Sequence, residues 1–171
     1  MKRVVLTALM LAAFHAPAVF AHGTEQHPAA GRDTASAQLS VAPEATDAVV
    51  ALERFSTALS AGNLDLAGAE LDPNVLILES GGAERSRDEY LGGHAKHDAE
   101  FLQTAHITLK RRSATAVGEL AWVGSESEIH TTKDGKPLGI TSTETAVLKK
   151  TAAGWKILHL HWSSRRLSDA H

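Results

Sequence analysis

The feature that most restricts this chain is a change of hydrophobic period near residue 102. Before it, apolar residues mostly recur at steps of three and four, the spacing that lines one face of a helix. Beyond it come long segments rich in Thr, Val, Ile and Trp, the residues that suit a pleated sheet, at 105–112, 115–131, 139–150 and 155–165. Turn signals separate the later ones. Lys133-Asp134-Gly135-Lys136 carries the Asp-Gly pair that a tight primed hairpin needs, and Ala152-Ala153-Gly154 marks another turn. In the first half, Pro43 suits a helix start, Glu44 and Asp47 suit its first turn, and Val49, Leu52, Phe55, Ser56 and Leu59 form an amphipathic stripe that Gly62-Asn63 stops. A short second helix is expected at 64–71, ended by Asp72-Pro73, and then a strand at 74–80 that is apolar on both faces. Ser86 and Glu89 read as a capping box that starts a helix running to about Leu102. Helices followed by a run of antiparallel strands predict an α+β fold, a strongly curved antiparallel sheet with about three helices on its concave face.

The chain contains no cysteine, which excludes thiol catalysis, thiolate metal sites and disulfides. Met1-Lys2-Arg3 followed by an apolar run from Val4 to Phe14 has the form of a secretory signal, too short for a permanent bilayer span. Val19-Phe20-Ala21 fits a signal-peptidase site, so cleavage after Ala21 is expected, with Ala18 as second choice, and the mature protein is expected to be periplasmic or secreted, without a stable membrane anchor. Residues 22–42, rich in small and polar types, read as a flexible tether, 43–166 as one domain and 167–171 as a tail. With a net charge of −3 and basic runs lacking interleaved aromatics, nucleic acid is not an expected partner.

One strand carries more than its composition. The run Gly154-Trp155-Lys156-Ile157-Leu158-His159-Leu160-His161-Trp162-Ser163 is similar to the closing strand of the SnoaL-like and ketosteroid-isomerase-like domains of the nuclear transport factor two superfamily, and the segment from Tyr90 to Asp98 supports the likeness. The resemblance covers roughly 43–166 and implies a cone with a pocket between helices and sheet, and commonly a dimer. It implies no one activity, since such domains include isomerases, cyclases, hydrolases and noncatalytic members.

Strict alternation puts Trp155, Ile157, His159, His161 and Ser163 on one face of the last strand, which in the resembled fold would face the pocket, and Leu158, Leu160 and Trp162 on the other. On the third helix Tyr90, His94, His97 and Phe101 fall at steps of four, three and four. His94, His97, His159 and His161 would then converge, a set of neutral imidazoles suited to zinc or copper, although exposure or a backbone hydrogen bond is the commoner fate of any one of them. Glu79 shares a strand face with Val75 and Ile77 and is either a buried base or a solvated strand end. Asp98 and Glu100 read as solvated helix charges, and Glu126 and Glu128 as an exposed stretch of strand. The oxyanion pattern of steroid isomerases cannot be carried over, because the chain's single tyrosine, Tyr90, stands on a different kind of segment.

The expected pocket is therefore Glu79, Tyr90, His94, His97, Trp155, His159, His161 and Ser163. The leading expectation is an exported module holding a small molecule or metal ion. An enzyme of the cyclase or isomerase kind, with His159 or His161 as general base, is the second, and a dimeric association domain without a functional pocket is the third. A homodimer is expected through Leu158, Leu160 and Trp162. Cleavage would leave His22 at the terminus with His27 nearby, an amine and imidazole able to chelate copper, though a plain polar start is the usual meaning of such residues.

Overall fold

In the computed structural model, residues 36–133 and 135–167 are described, and the expected signal segment, His22 and His27 lie outside them. A short strand β1 (Gln38–Val41) and one turn of 3-10 helix at Pro43–Ala45 lead into α1 (Thr46–Ser60). α2 (Leu64–Glu70), β2 (Leu71–Glu79), β3 (Gly82–Glu84), α3 (Arg87–Gly92) and α4 (His94–Gln103) follow, then β4 (His106–Val117), β5 (Leu120–Lys133), β6 (Lys136–Thr151) and β7 (Gly154–Arg166). The strands form one seven-stranded sheet in the order β1-β4-β5-β6-β7-β2-β3. Its centre is the antiparallel run β4 to β7, and β1 and β2 join in parallel to β4 and β7. Among the described residues no helix is long and apolar enough to cross a membrane.

The local signals account for most boundaries. In α1, Ala48, Leu52, Phe55 and Leu59 recur at helical spacing and are buried, while the helix closes where Gly62 takes φ +73° and the amides of Gly62 and Asn63 reach the carbonyls of Leu59 and Ala58. Asn63 then caps α2, its side chain accepting from the amide of Leu66. Ser86 accepts from the amide of Glu89 as expected, but Glu89 reaches the amide of Arg85, one residue earlier than a capping box requires.

Five expectations change. The third helix is two, α3 and α4, broken at Gly93, so Tyr90 and His97 do not share one straight stripe. β2 begins at Leu71, ahead of Pro73, because the proline sits in an irregular stretch between the Leu71 and Leu76 pairings, where its missing N–H costs no ladder bond. β4 runs through Ser113 and Ala114 and turns at Gly118, at φ +60°. Residues 38–41, expected as tether, pair with Arg111 to Ala114 of β4.

The fifth change is in β7. Leu148 of β6 pairs with Ile157, and the next β6 residue, Val147, pairs with His159, so Leu158 is an unopposed extra residue. One inserted residue reverses every later side chain. Trp155 and Ile157 face the helices as expected, but beyond the bulge Leu160, Trp162 and Ser164 face inward and His159, His161 and Ser163 face away. Leu160 is fully buried. Leu160 and Trp162, expected at a dimer interface, are therefore core and pocket wall.

On the inner face Ala114, Val123, Ala146, Leu160 and Ile77 pair in sequence across five strands and are all buried. Against this row lie Phe55, Leu52 and Leu59 of α1 in one continuous core. The next row outward along the same strands is Arg112, Ser125, Glu144, Trp162 and Glu79. Polarity enters the cone at that row.

Candidate functional site

Between the helices and the open end of the sheet lies a cavity of about 430 Å³. Phe55 and Leu59 from α1, Phe101 and Leu102 from α4, and Ile107, Leu109, Ile129 and Ile140 from the sheet give it apolar walls. The ionisable groups in and beside it fall into two sets.

The first set closes one wall. Glu79 ends β2 on the inward face, beside the turn at Ser80 and Gly81, whose φ values of 48° and 88° return the chain into β3. Glu84 ends β3. His94 opens α4, and Asp98 stands one helical turn later on the same side. The ring of His94 is held between acids: Nδ1 lies 3.0 Å from Glu84 Oε1, and Nε2 lies 3.8 Å from Asp98 Oδ1. An ionised carboxylate only accepts, so Nδ1 carries the proton toward Glu84. Tyr90, fully buried in α3, donates its hydroxyl to Asp98 Oδ2 at 2.8 Å. Glu84 Oε2 is buried without a partner among the described residues.

Crowding of acids in a half-buried place raises their proton affinity. Glu79 is pushed above the usual carboxylate range by burial first, then by repulsion from Asp98 and Glu84, with His94 pulling the other way. Burial also raises Asp98, against the opposing hydrogen bond from Tyr90 and the nearby His94. For His94 burial disfavours the charged ring, but Asp98, the Glu84 hydrogen bond and Glu79 outweigh it, and its proton affinity is raised. Tyr90 is held protonated by burial and by Asp98. The ligating atoms of Glu79, His94 and Asp98 lie within 4.8 Å of one another, so these three could also hold a metal ion.

The second set is the row across the sheet. Arg112 donates from Nε to Ser125 Oγ at 3.1 Å and from its NH1 nitrogen to Glu53 Oε1 at 2.8 Å. Ser125 donates to Glu144 Oε1 at 3.2 Å, and Trp162 Nε1 donates to Glu144 Oε2 at 2.9 Å. Phe55 stacks near Trp162, ring centroids 6.4 Å apart with 14° between planes.

Of the residues expected in the pocket, Glu79 lines it, and Tyr90 and His94 stand behind its wall through Asp98. Trp155 is buried in the core, away from the cavity lining. His97 is mostly exposed beside Glu100. His159 donates from Nδ1 to the Leu76 carbonyl at 2.8 Å on the outer face, where His161 and Ser163 are exposed. The four-histidine cluster of His94, His97, His159 and His161 does not assemble: the β7 bulge turns His159 and His161 outward, and within α4 the side packed on the fold carries Ala95 and Ala99, which leaves His97 exposed. Asp98, expected as a solvated charge, is instead a wall residue. Its signal was present: Tyr90, His94 and Asp98 stand at two steps of four. Glu144 also had one, sitting in phase with Ile140, Ala146 and Leu148. Glu126 and Glu128 do lie outward, paired with Arg111 and Lys110.

Comparison with known proteins agrees with this architecture. Among curated proteins none matches the sequence. A protein from Shewanella frigidimarina, provisionally named a ketosteroid isomerase, is 35% identical, and the match covers 72% of this chain and 100% of that one with a TM-score of 0.68. The CaMKII hub of S. rosetta is similar in fold at 22% identity, covering 72% of this chain and 98% of its own, with a TM-score of 0.60. So is a provisionally named dehydratase of the NTF2-like family from Streptomyces avermitilis, at 18% identity, 70% and 95% coverage and a TM-score of 0.57. The profile of the SnoaL-like domain matches residues 49–166, and with a cone of this topology and a relative of this identity, the chain belongs to the SnoaL-like domain family.

Proposed function

We propose that this protein is exported and binds a small organic molecule in its cone, where Glu79 and Asp98 exchange protons with it. The observation that carries the reading is the meeting of an apolar-walled cavity with two carboxylates of raised proton affinity, one of them tied to a buried tyrosine. A carboxylate held above its ordinary range moves toward the working pH of a proton-transfer group. His159 and His161 face away from the cavity, so the acid–base role belongs to Glu79 and Asp98, with His94 as the positioning residue between Asp98 and Glu84. The relatives provisionally named as isomerase and dehydratase have names in keeping with such chemistry.

The test is a thermal-shift screen of small organic molecules on the purified chain, followed by proton-exchange measurements in heavy water on those that bind. A ligand that binds only the folded state raises the melting temperature. Exchange at a carbon acid should fall by about a hundredfold or more in Glu79→Gln or Asp98→Asn, the scale of general acid–base catalysis. A chain stabilised by no compound would sink the reading. Intact mass of the periplasmic protein checks export, with a chain beginning at His22 or Val19 expected.

Self-association is a second reading with an observation of its own. On the face away from the helices Trp122, Val147, His159 and Leu76 pair in sequence across four strands, and Trp122 and Leu76 are 44% and 39% exposed. An apolar row of that kind suits a partner surface.

A further inference from the structure

We infer that the cone selects an organic cation, a protonated amine carried on an apolar body, with its ammonium between Glu79 and Asp98. The inference rests on the cone being a ligand site and names the ligand's class.

The ionisable groups lining the cavity are Glu79, Asp98, Glu144 and Arg112. Arg112 is the lining cation, and it is already matched: its guanidinium is committed to Glu53 and Ser125 and is nearly buried. The carboxylate of Glu144 is satisfied by Ser125 and Trp162. Glu79 and Asp98 are left as the acids at the wall, with Glu84 behind them and His94 the cation within reach. Two lining carboxylates with a third behind them, against one imidazole, leave a surplus of negative charge at the wall of a partly closed cavity, where charge is less screened than in bulk water. An anionic ligand would be repelled there. A neutral one leaves the surplus unanswered.

The rest of the cavity says what kind of cation fits. Trp162 stands between Glu79 and Glu144 in the register of three adjacent strands, and Phe55 stacks on it. Aromatic faces beside carboxylates attract ammonium groups through the ring quadrupole as well as the charge. Phe101, Ile107, Ile129 and Ile140 offer apolar surface to a body beyond the charged end. A bare metal ion would use Glu79, His94 and Asp98 but would leave that surface empty. The amine uses both, and its N–H groups make charge-assisted hydrogen bonds to the two acids.

The experiment uses the purified chain and three probes of matched shape, 4-phenylbutylamine, 4-phenylbutanol and 4-phenylbutanoate, with zinc chloride as a fourth, all by titration calorimetry near neutral pH. The amine should bind about tenfold or more tighter than the alcohol, the equivalent of one charge-assisted hydrogen bond, and the carboxylate weakest. Glu79→Gln and Asp98→Asn, isosteric changes whose folding is checked by circular dichroism, should each bring the amine's affinity down toward that of the alcohol measured on the same variant. Alcohol bound as tightly as amine, or a preference that survives both substitutions, overturns the inference and leaves the cone reading intact. Zinc binding lost in His94→Ala, with no preference for the amine, assigns the cation to a metal and also overturns it. If none of the organic probes binds, inference and cone reading fall together.

Discussion

Glu79 shows how a single residue can be costly to the fold and still belong in it. Its proton affinity is raised by burial and by Asp98 and Glu84, so the folded chain holds that proton at pH values where the unfolded chain has released it. The sign follows directly. Stability falls as pH rises from the unfolded value through the folded one, and the full penalty is present above the folded value. Glu79→Gln should therefore melt a few degrees higher than wild type at about pH 8, and the gain should vanish by about pH 3, where the carboxyl is protonated in both states. A variant that melts lower at about pH 8 would mean that an ionic partner holds Glu79, against the crowding described above. Tyr90 is the counterpart: its hydroxyl satisfies Asp98 at 2.8 Å, so Tyr90→Phe should cost about 1–3 kcal/mol in urea unfolding by leaving a half-buried carboxylate short of a donor.

At the scale of elements the decisive object is the bulge in β7. Ile157-Leu158 are consecutive apolar residues, and each parity of the strand contains apolar side chains, so alternation counted from Trp155 runs through to Ser163 with nothing in the local sequence to interrupt it. Pairing with β6 decides otherwise, since burying Leu160 and Trp162 stabilises the fold more than burying two imidazoles. Leu160→Asp, which would split a dimer if Leu160 lay outside, should instead abolish cooperative unfolding, because a carboxylate in the closed core costs about 4 kcal/mol or more. His161→Ala should change stability by no more than about 0.5 kcal/mol, as expected for an exposed outer residue. A soluble Leu160→Asp chain with the wild-type melting transition would overturn the placement of Leu158. The sheet's long strands and the caps at Asn63 and Ser86 were legible because each depends on neighbours in sequence. β1 and β3 were not, since a strand of three or four residues is specified by the partner it meets.

For the whole molecule, the structure removes the face on which a dimer was expected, and the association reading rests on another. With Leu160 and Trp162 inside, the outward row through Trp122 and Leu76 is an exposed apolar surface that a second copy could cover. Light scattering at micromolar concentration should give a dimer, and Trp122→Lys should give a folded monomer, because a symmetric interface receives the new charge twice. A wild-type monomer would remove the association reading and leave the cone untouched. The sequence by itself determined the α+β class, through period and caps, and the likeness to the SnoaL-like family, through the closing strand from Gly154 to Ser163; local spacing put Tyr90 and His94 on one helical stripe, while Glu79 stayed open between a buried base and a solvated strand end. Tertiary structure decided that Asp98 and Glu144, whose spacing and phase were visible in the sequence, are joined by Glu84 and Arg112 at the site, and that His97, His159, His161 and Ser163 are not. The physical reason is parity: one unopposed residue at Leu158 redirects every β7 side chain after it, and that bulge is set by pairing with β6 and by burial across the fold rather than by neighbours along the chain.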